Sequence, residues 1–371
     1  MSWIHHIESL APDSAYSQES IAGWMKSWTE GHRAKRYIDT VYASSGIQKR
    51  HLVLDDMQES GVPSFSFYRE NGSMREPTTR ARNQLFIEKS KPIIEEVAKR
   101  ALERCEAIEK EQITHVITVS CTGFYNPGPD LVVVNALGLS ERVERYHLGF
   151  MGCYASFPAL RMADQFCQAD PEATVLIVCV EFCSLHLQIN DDLDSVLANS
   201  VFADGAAAVL INGRPPTPGR VALEMESFAS GLAREGEEDM AWEIGDRGFN
   251  LMLSKYVSKI IGAGIGGIID SVLSEVNLTH TDIKTWAVHP GGKAILDQVE
   301  EGLDLNTEQL SASREVLRDF GNMSCVTILF ILKQLLYESE YVENELIGAI
   351  AFGPGLTIES AFLKRTKGQS D

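Results

Sequence analysis

The sequence is short of positive charge: 33 Lys and Arg stand against 52 Asp and Glu in 371 residues, a formal charge of −19. Nucleic acid and anionic membranes both call for a basic face, so neither is an expected partner. Its seven cysteines show no CxxC pair and no metal-ligand spacing, and several lie in apolar runs such as Cys179 in TVLIVCVEF. That pattern argues against a disulfide framework or a structural metal, and fits reduced thiols in a cytoplasm. No stretch reaches the roughly 18 uninterrupted apolar residues that a spanning helix requires. The start, MSWIHHIESL, lacks a basic region followed by an apolar run, so neither a membrane span nor a leader is expected. No short repeat or low-complexity tract is present, which removes solenoids and flexible linkers. The adjacent His5 and His6 face different ways on any regular element, so they read as a chance pair.

What is present is a chain that is 44% hydrophobic and long enough to bury a large core. Residues 84–110 place apolar side chains at helical spacing between charges, and His115–Ser120 follows as a buried strand. The unit recurs as a helix over Tyr154–Gln168, a strand over Thr174–Glu181, and a strand over Ala206–Asn212 after a turn at Asp204-Gly205. GRPPTPGR at 213–220 is the best boundary, dividing the chain into 1–215 and 216–371. The second part repeats the logic with helix 249–275, strand Lys284–His289, helices 293–301 and 322–337, and strands 346–352 and 356–364. Helices alternating with buried strands predict layered α/β packing.

Three segments carry candidate chemistry. GFMGCYASFPAL puts Cys153 behind a glycine at the start of an amphipathic helix, where the positive end of the helix dipole favours a thiolate. A buried cysteine is also a common apolar filler. WAVHPGG ends an apolar strand at His289, either a catalytic group on a strand end or a histidine satisfied by the backbone. DFGNMSCVTILF sets Asn322 before an apolar helix, as an N-cap or as an amide aimed into a cavity. Cys, His and Asn together suit acyl transfer: a thiol nucleophile, a base and a second oxyanion donor. Papain-like proteases use the same three types in the same order, but their CG[SA]C[WY] signature is replaced here by GCYAS.

The segments GFMGC, VFADGAAAV at 201–209, AVHPGG at 287–292 and GNMS at 321–324, with AFGPGLTIE at 351–359, together resemble the type III polyketide synthases. These form the chalcone synthase-like family of the thiolase fold, and the resemblance runs from about Gly46 to Lys364. It implies an α/β, five-layered αβαβα fold of two similar halves. It also implies Cys153 as acyl carrier, with His289 and Asn322 as the pair that polarises thioester and enolate. Phe202 and Phe249 fall at two gating aromatics between a CoA tunnel and the reaction cavity, and Ser324 of GNMS falls among the cavity residues. The implied substrates are acyl-CoA and malonyl-CoA, with no other cofactor, and the implied assembly is a homodimer.

Departures bear on the substrate. Ser156 and Phe157 replace the paired glycines of plant members. Cys121 in VSCTGFYNPGPD is similar to bacterial members with a cavity cysteine, and Asn126 stands where plant enzymes have a methionine that crosses the dimer. Cys183 and His186 occupy the places of cavity threonines. These differences argue against a p-coumaroyl starter and favour a medium or long fatty acyl-CoA giving an alkylpyrone or alkylresorcinol. A single-condensation ketoacyl synthase III is the alternative, disfavoured because HPGG and GNMS replace its usual loops.

Two other signals read as background. Gly262, Gly264 and Gly267 spell GxGxxG, but the stretch before them reads as a helix, which argues against a dinucleotide site. Asp191, Asp192 and Asp194 read as a solvated loop. Basic residues from Arg33 to Arg50, including Lys35, Arg36 and Lys49, lie where family enzymes bind CoA phosphates, or form a solvated helix face.

Overall fold

The computed structural model describes residues 1–54, 67, 69–70, 73–236, 239–254, 256–275 and 278–369. In its first part, β1 (Ser2–Leu10) is followed by α1 (Gln18–Trp28), α2 (His32–Ser44) and α3 (Thr79–Arg104). Then come β2 (His115–Ser120), α4 (Pro129–Leu137), β3 (Glu144–Gly149), α5 (Ser156–Ala169), β4 (Thr174–Phe182), α6 (Leu193–Asn199) and β5 (Asp204–Asn212). The second part comprises β6 (Val221–Leu232), a hairpin of β7 (Met240–Gly245) and β8 (Gly248–Leu253), α7 (Val257–Glu275) and β9 (Thr285–Val288). It closes with α8 (Lys293–Gly302), α9 (Ser311–Phe320), α10 (Thr327–Tyr337), β10 (Leu346–Gly353) and β11 (Thr357–Lys367).

Nine strands form one mixed sheet in the order β9-β10-β11-β6-β1-β5-β4-β2-β3. Outward from the β1–β6 junction, the first part runs 1, 5, 4, 2, 3 and the second runs 6, 11, 10, 9, so the two parts share one winding. Their directions also agree, with two antiparallel inner pairings and then a parallel one on each side. β4 is buried at all nine positions, which is why TVLIVCVEF is apolar without alternation. Buried residues of α5 and α10 share one core with both arms of the sheet. α3 and α4 pack on the outer face of the first arm, and α7 and α8 on that of the second. The result is five layers.

Several expected elements move. The helix expected over 84–110 is Thr79–Arg104, because the Thr78 side chain accepts from Ala81 N and caps it earlier. Asp204-Gly205 is no turn: both residues begin β5, and the Asp204 carboxylate accepts from the backbone N–H groups of Val53 and Ser184, each at 2.8 Å. Long-range bonds override the local Asp-Gly preference. The helix expected over 249–275 is a strand followed by a helix that starts at Val257, since Phe249 and Leu251 recur with period two. The helix expected over 322–337 begins as a 3₁₀ turn at Ser324 and becomes α10 only at Thr327.

α7, which holds Gly262, Gly264 and Gly267, is long and apolar enough to cross a membrane by length and composition. Its Val257, Ile261, Ile265, Ile269 and Leu273 are nevertheless core residues of the second arm. Asp192 caps α6 by accepting from Ser195 N at 2.8 Å, and Asp191 accepts from Gly31 N at 2.9 Å, so this acidic loop is tied rather than merely solvated.

Candidate active site

Each arm of the sheet contributes candidate reactive residues from the loops beside its strands. After β3 the chain turns through Phe150 and Gly152, at φ 61° and 87°, and Cys153 sits in the turn that leads into α5. Gly152 is required there: a Cβ would lie 2.4 Å from Pro354 Cδ, and its φ is left-handed. His289 directly follows β9, and its N–H continues the strand pairing by donating to Ile350 O at 2.8 Å. Asn322 is clipped to the first part by two backbone bonds of 2.8 Å, Asn322 N to Val201 O and Ala203 N to Asn322 O.

These residues open on one cavity of about 270 Å³. Cys121, Cys153, Cys183, Phe202, His289, Asn322 and Ser324 all line it, and much of the remaining wall is apolar, with Leu197, Val201, Met240, Leu251 and Ile295. His289 and Asn322 are each 1% exposed. The Asn322 Oδ1 accepts from Ser324 N at 2.8 Å, which fixes the amide plane and aims Nδ2 toward Gly291 O, at 3.5 Å, and toward the Cys153 sulfur. Neither ring nitrogen of His289 has a hydrogen-bond partner among the described residues. A buried imidazole with both nitrogens unspent is costly unless a ligand uses them.

Burial pushes the Cys153 thiol up to about 12, against hydrogen bonds from Ser324 and Asn322 that favour the thiolate, and with Glu181 adding to the rise. Burial likewise takes His289 down to about 3. Burial therefore works against the thiolate that the place of Cys153 ahead of α5 would favour, and against an imidazolium at His289. Desolvation of both groups outweighs the stabilising contacts, and charge separation awaits a substrate that can share it.

Two expected cavity residues lie elsewhere. His186 and Phe249 line a small void next to the cavity, and its wall is shared at Cys183, Phe202, Trp242 and Leu251. Asn126 does not line the cavity. Of the basic stretch, Arg33, Arg36 and Lys49 are exposed, whereas Arg50 is 1% exposed and far from a solvated face. Its Nη1 donates to the carbonyls of Asn199 and Phe202, each at 2.8 Å, and its stem packs where a Cβ on Gly321 would fall, 2.9 Å from Cγ. Arg50 thus holds the Phe202 loop against the Asn322 loop. Sequence reading also missed Glu181, a fully buried carboxylate that accepts from Cys121 N at 3.0 Å and from Thr122 Oγ1 at 2.8 Å. Its setting in an all-apolar strand was the available signal, because a charge there demands partners.

Comparison with known proteins finds matches in sequence and in fold along most of the chain. The N-terminal domain of chalcone and stilbene synthases matches residues 5–215, and their C-terminal domain matches 224–366. An alpha-pyrone synthesis polyketide synthase-like protein of Mycobacterium tuberculosis is 33% identical over 328 residues, covering 87% of this chain and 80% of that protein. The structure of PKS-I from the brown alga Ectocarpus siliculosus superposes with a TM-score of 0.89 at 28% identity, over 98% of each chain. The C-terminal type III polyketide synthase domain of the Dictyostelium hybrid Steely1 gives 0.88 at 28% identity, over 98% of this chain and 99% of that one.

Proposed function

This chain belongs to the chalcone and stilbene synthase family and is a type III polyketide synthase of thiolase-like fold, and from that premise we propose how its residues divide the work. The carrying observation is that Cys153, His289 and Asn322 meet in one largely apolar cavity with the His289 nitrogens unspent. Cys153 Sγ attacks the carbonyl of an acyl-CoA while His289 takes the thiol proton and passes it to the departing CoA sulfur. Acyl-Cys153 and free CoA result. Malonyl-CoA then enters and loses carbon dioxide, and its thioester oxygen gathers the enolate charge between His289 and the Asn322 amide. Donors aimed at such an oxygen in a water-poor site contribute about 10²–10³ in rate each. The enolate carbon attacks acyl-Cys153, the thiolate leaves, and the lengthened ketoacyl-CoA returns to Cys153 for another round.

The last step we propose is ring closure by the distal enol oxygen on the thioester carbonyl, which expels CoA and gives an alkylpyrone. An apolar cavity suits a fatty acyl starter, and the mycobacterial relative is named for alpha-pyrone synthesis. An alkylresorcinol is the other product class. CoA thioesters are the only small molecules this scheme requires. Arg33 and Arg36 line a surface hollow that shares Tyr37 and Ser254 with the reaction cavity, and we place the CoA phosphates there. We also read the chain as two halves, 1–215 and 216–371, and as a homodimer: β3 ends the sheet with one edge unpaired, beside a partly exposed Phe124.

The test is incubation of the purified protein with radiolabelled malonyl-CoA and a panel of acyl-CoA starters, with products read by mass spectrometry. Pyrones from several extensions are expected. One extension only, from an acyl carrier protein, would favour the ketoacyl synthase III alternative, and no turnover would overturn the scheme.

A further inference from the structure

We propose that α7 is a membrane-docking helix: its outer face, with the ends of β6 and β8, seats the enzyme on an anionic lipid bilayer with the mouth of the reaction cavity toward the lipid. The docking stands on surface features alone, and only its use rests on the condensing scheme above. From Ile260 to Ile269 the helix reads IIGAGIGGII, without one charged or polar side chain. A helix on a protein surface ordinarily keeps charged and polar residues on its outer face. Here the inner face is core, with Ile261, Ile265 and Ile269 fully buried, yet only 28% of the tract Val257–Ser274 is buried. The outward positions are Ala263 and Gly267, both exposed, flanked by the half-buried Ile260, Gly264 and Ile268.

Packing within the chain accounts for only part of this composition. A Cβ would lie 2.5 Å from Gln298 Oε1 at Gly262 and 3.1 Å from Gly302 O at Gly266, so both glycines let α7 approach α8. A Cβ on Gly267 would meet nothing within 4 Å among the described residues. Large apolar side chains extend the tract at both ends. Tyr256, 53% exposed, and the exposed Met252 precede its first turn. Leu232, 63% exposed, ends β6 one residue past Gly231, whose Cβ would touch Ile268 at 3.4 Å. A helix rises about 18 Å from residue 256 to residue 268, so the apolar surface is a continuous strip rather than a scatter of single residues. The homodimer edge proposed at β3 lies at the other end of the sheet from β9, against which α7 packs, and leaves the strip uncovered.

Cations border the strip at both ends. Arg33 and Arg36 share a surface hollow with Ser254 and Tyr256, and Asp194 is the one acidic residue among those lining it. Lys259 is exposed in the first turn of α7. At the far end the exposed Arg234 follows Leu232, in a turn, Arg234–Gly236, that packs on α7. The charge of −19 belongs to the whole chain. It is screened beyond about 8 Å at physiological salt, so a bilayer meets mainly the local cations. Aromatic and aliphatic side chains bordered by Lys and Arg are what an interfacial helix offers to anionic lipid. Val257 and Ser258, in the first turn of α7, also line the reaction cavity. A docked enzyme therefore opens its cavity at the bilayer surface, where a fatty acyl-CoA gathers and into which an alkylpyrone partitions.

Cosedimentation of the full chain with vesicles tests this, using phosphatidylcholine alone, phosphatidylcholine mixed with phosphatidylglycerol, and no lipid. Wild type is expected to sediment with the mixed vesicles. Phosphatidylglycerol should strengthen binding by roughly fivefold for each cation that reaches the headgroups, a gain that high salt removes. Leu232→Glu with Ala263→Glu should weaken partitioning by roughly tenfold or more, since burial of one large aliphatic side chain is worth about that ratio. Turnover of a short, soluble acyl-CoA should stay at the wild-type level in the same protein. If Leu232→Glu does not fold, Ala263→Glu alone carries the test, because glutamate is a good helix former at an exposed position. Wild type that stays in solution with mixed vesicles would overturn the inference, as would variants that sediment as wild type does. Self-association without lipid that Ala263→Glu abolishes would make the strip a contact between copies and overturn it too. Product from a wild type that ignores vesicles overturns the docking alone, whereas vesicle binding without product overturns the condensing scheme and leaves the docking standing.

Discussion

The two arms of the sheet are wound alike yet hold their corresponding side chains in opposite states. Cys121 follows β2 as His289 follows β9, and these strands occupy equivalent places in the two arms. Cys121 is fully engaged: its N–H reaches Glu181, and its sulfur accepts from Gly152 N at 2.9 Å. His289 spends its backbone on β10 and leaves its ring nitrogens free of protein partners among the described residues. Cys153 and Asn322 correspond as well, each just ahead of a helix of the shared central layer, α5 or α10. One frame, used twice, positions Cys153 on one side and His289 and Asn322 on the other. What separates the His289 ring from Cys121 is whether the local hydrogen bonds are already satisfied.

Substitutions that break this asymmetry should grade in effect. Cys153→Ala removes the acyl carrier, and loading followed by mass spectrometry of the intact protein should fall by roughly 10⁴-fold or more. His289→Ala and Asn322→Ala should each lower kcat for extension by about 10²–10³, because each removes one enolate donor. In the supporting turn, Gly152→Ala forces a side chain into a left-handed φ and against Pro354, so a loss of about 2 kcal/mol is expected in denaturant unfolding, with weaker loading.

His289 also leaves a pH signature. Its folded value of about 3 lies below the ordinary 6.5, so the unfolded chain binds the proton first. The stability it contributes is present above 6.5 and is lost as pH falls toward 3, reaching roughly 2 kcal/mol by pH 5. His289→Gln should lack that part of the acid sensitivity in parallel unfolding curves. The smallest effect belongs to Cys121→Ser, which keeps an acceptor for Gly152 N–H and should change kcat/KM by less than about tenfold, or roughly 1 kcal/mol. A collapse comparable to that of His289→Ala would mean that Cys121 is reactive rather than supporting.

That Cys153, His289, Asn322, Phe202 and Ser324 share one cavity was legible only from their motifs taken together, because each segment alone also fits a core or capping residue. Arg50 was not, since the carbonyls it bonds belong to Asn199 and Phe202, about 150 residues away. The residues of β8 from Phe249 on fall within the expected helix 249–275 because FNLML is apolar enough to satisfy either period, and only pairing with 240–245 decides. His186 and Phe249 were assigned to the cavity by position in a motif, but their stack is a tertiary event that places them behind its wall. Burial, too, is invisible locally, so the helix start at Cys153 pointed toward a thiolate without the desolvation that opposes it.

The clip between Val201, Ala203 and Asn322 has a consequence for biosynthesis. Cys153 emerges from the ribosome long before Asn322, and the two backbone bonds that seat Asn322 join residues about 120 positions apart in the chain. A nascent polypeptide therefore displays Cys153 before His289 and Asn322 have been made. The cavity is complete only when the late strands close the second arm, so under the scheme proposed above covalent labelling of Cys153 by an acyl-CoA is expected to report completed folding.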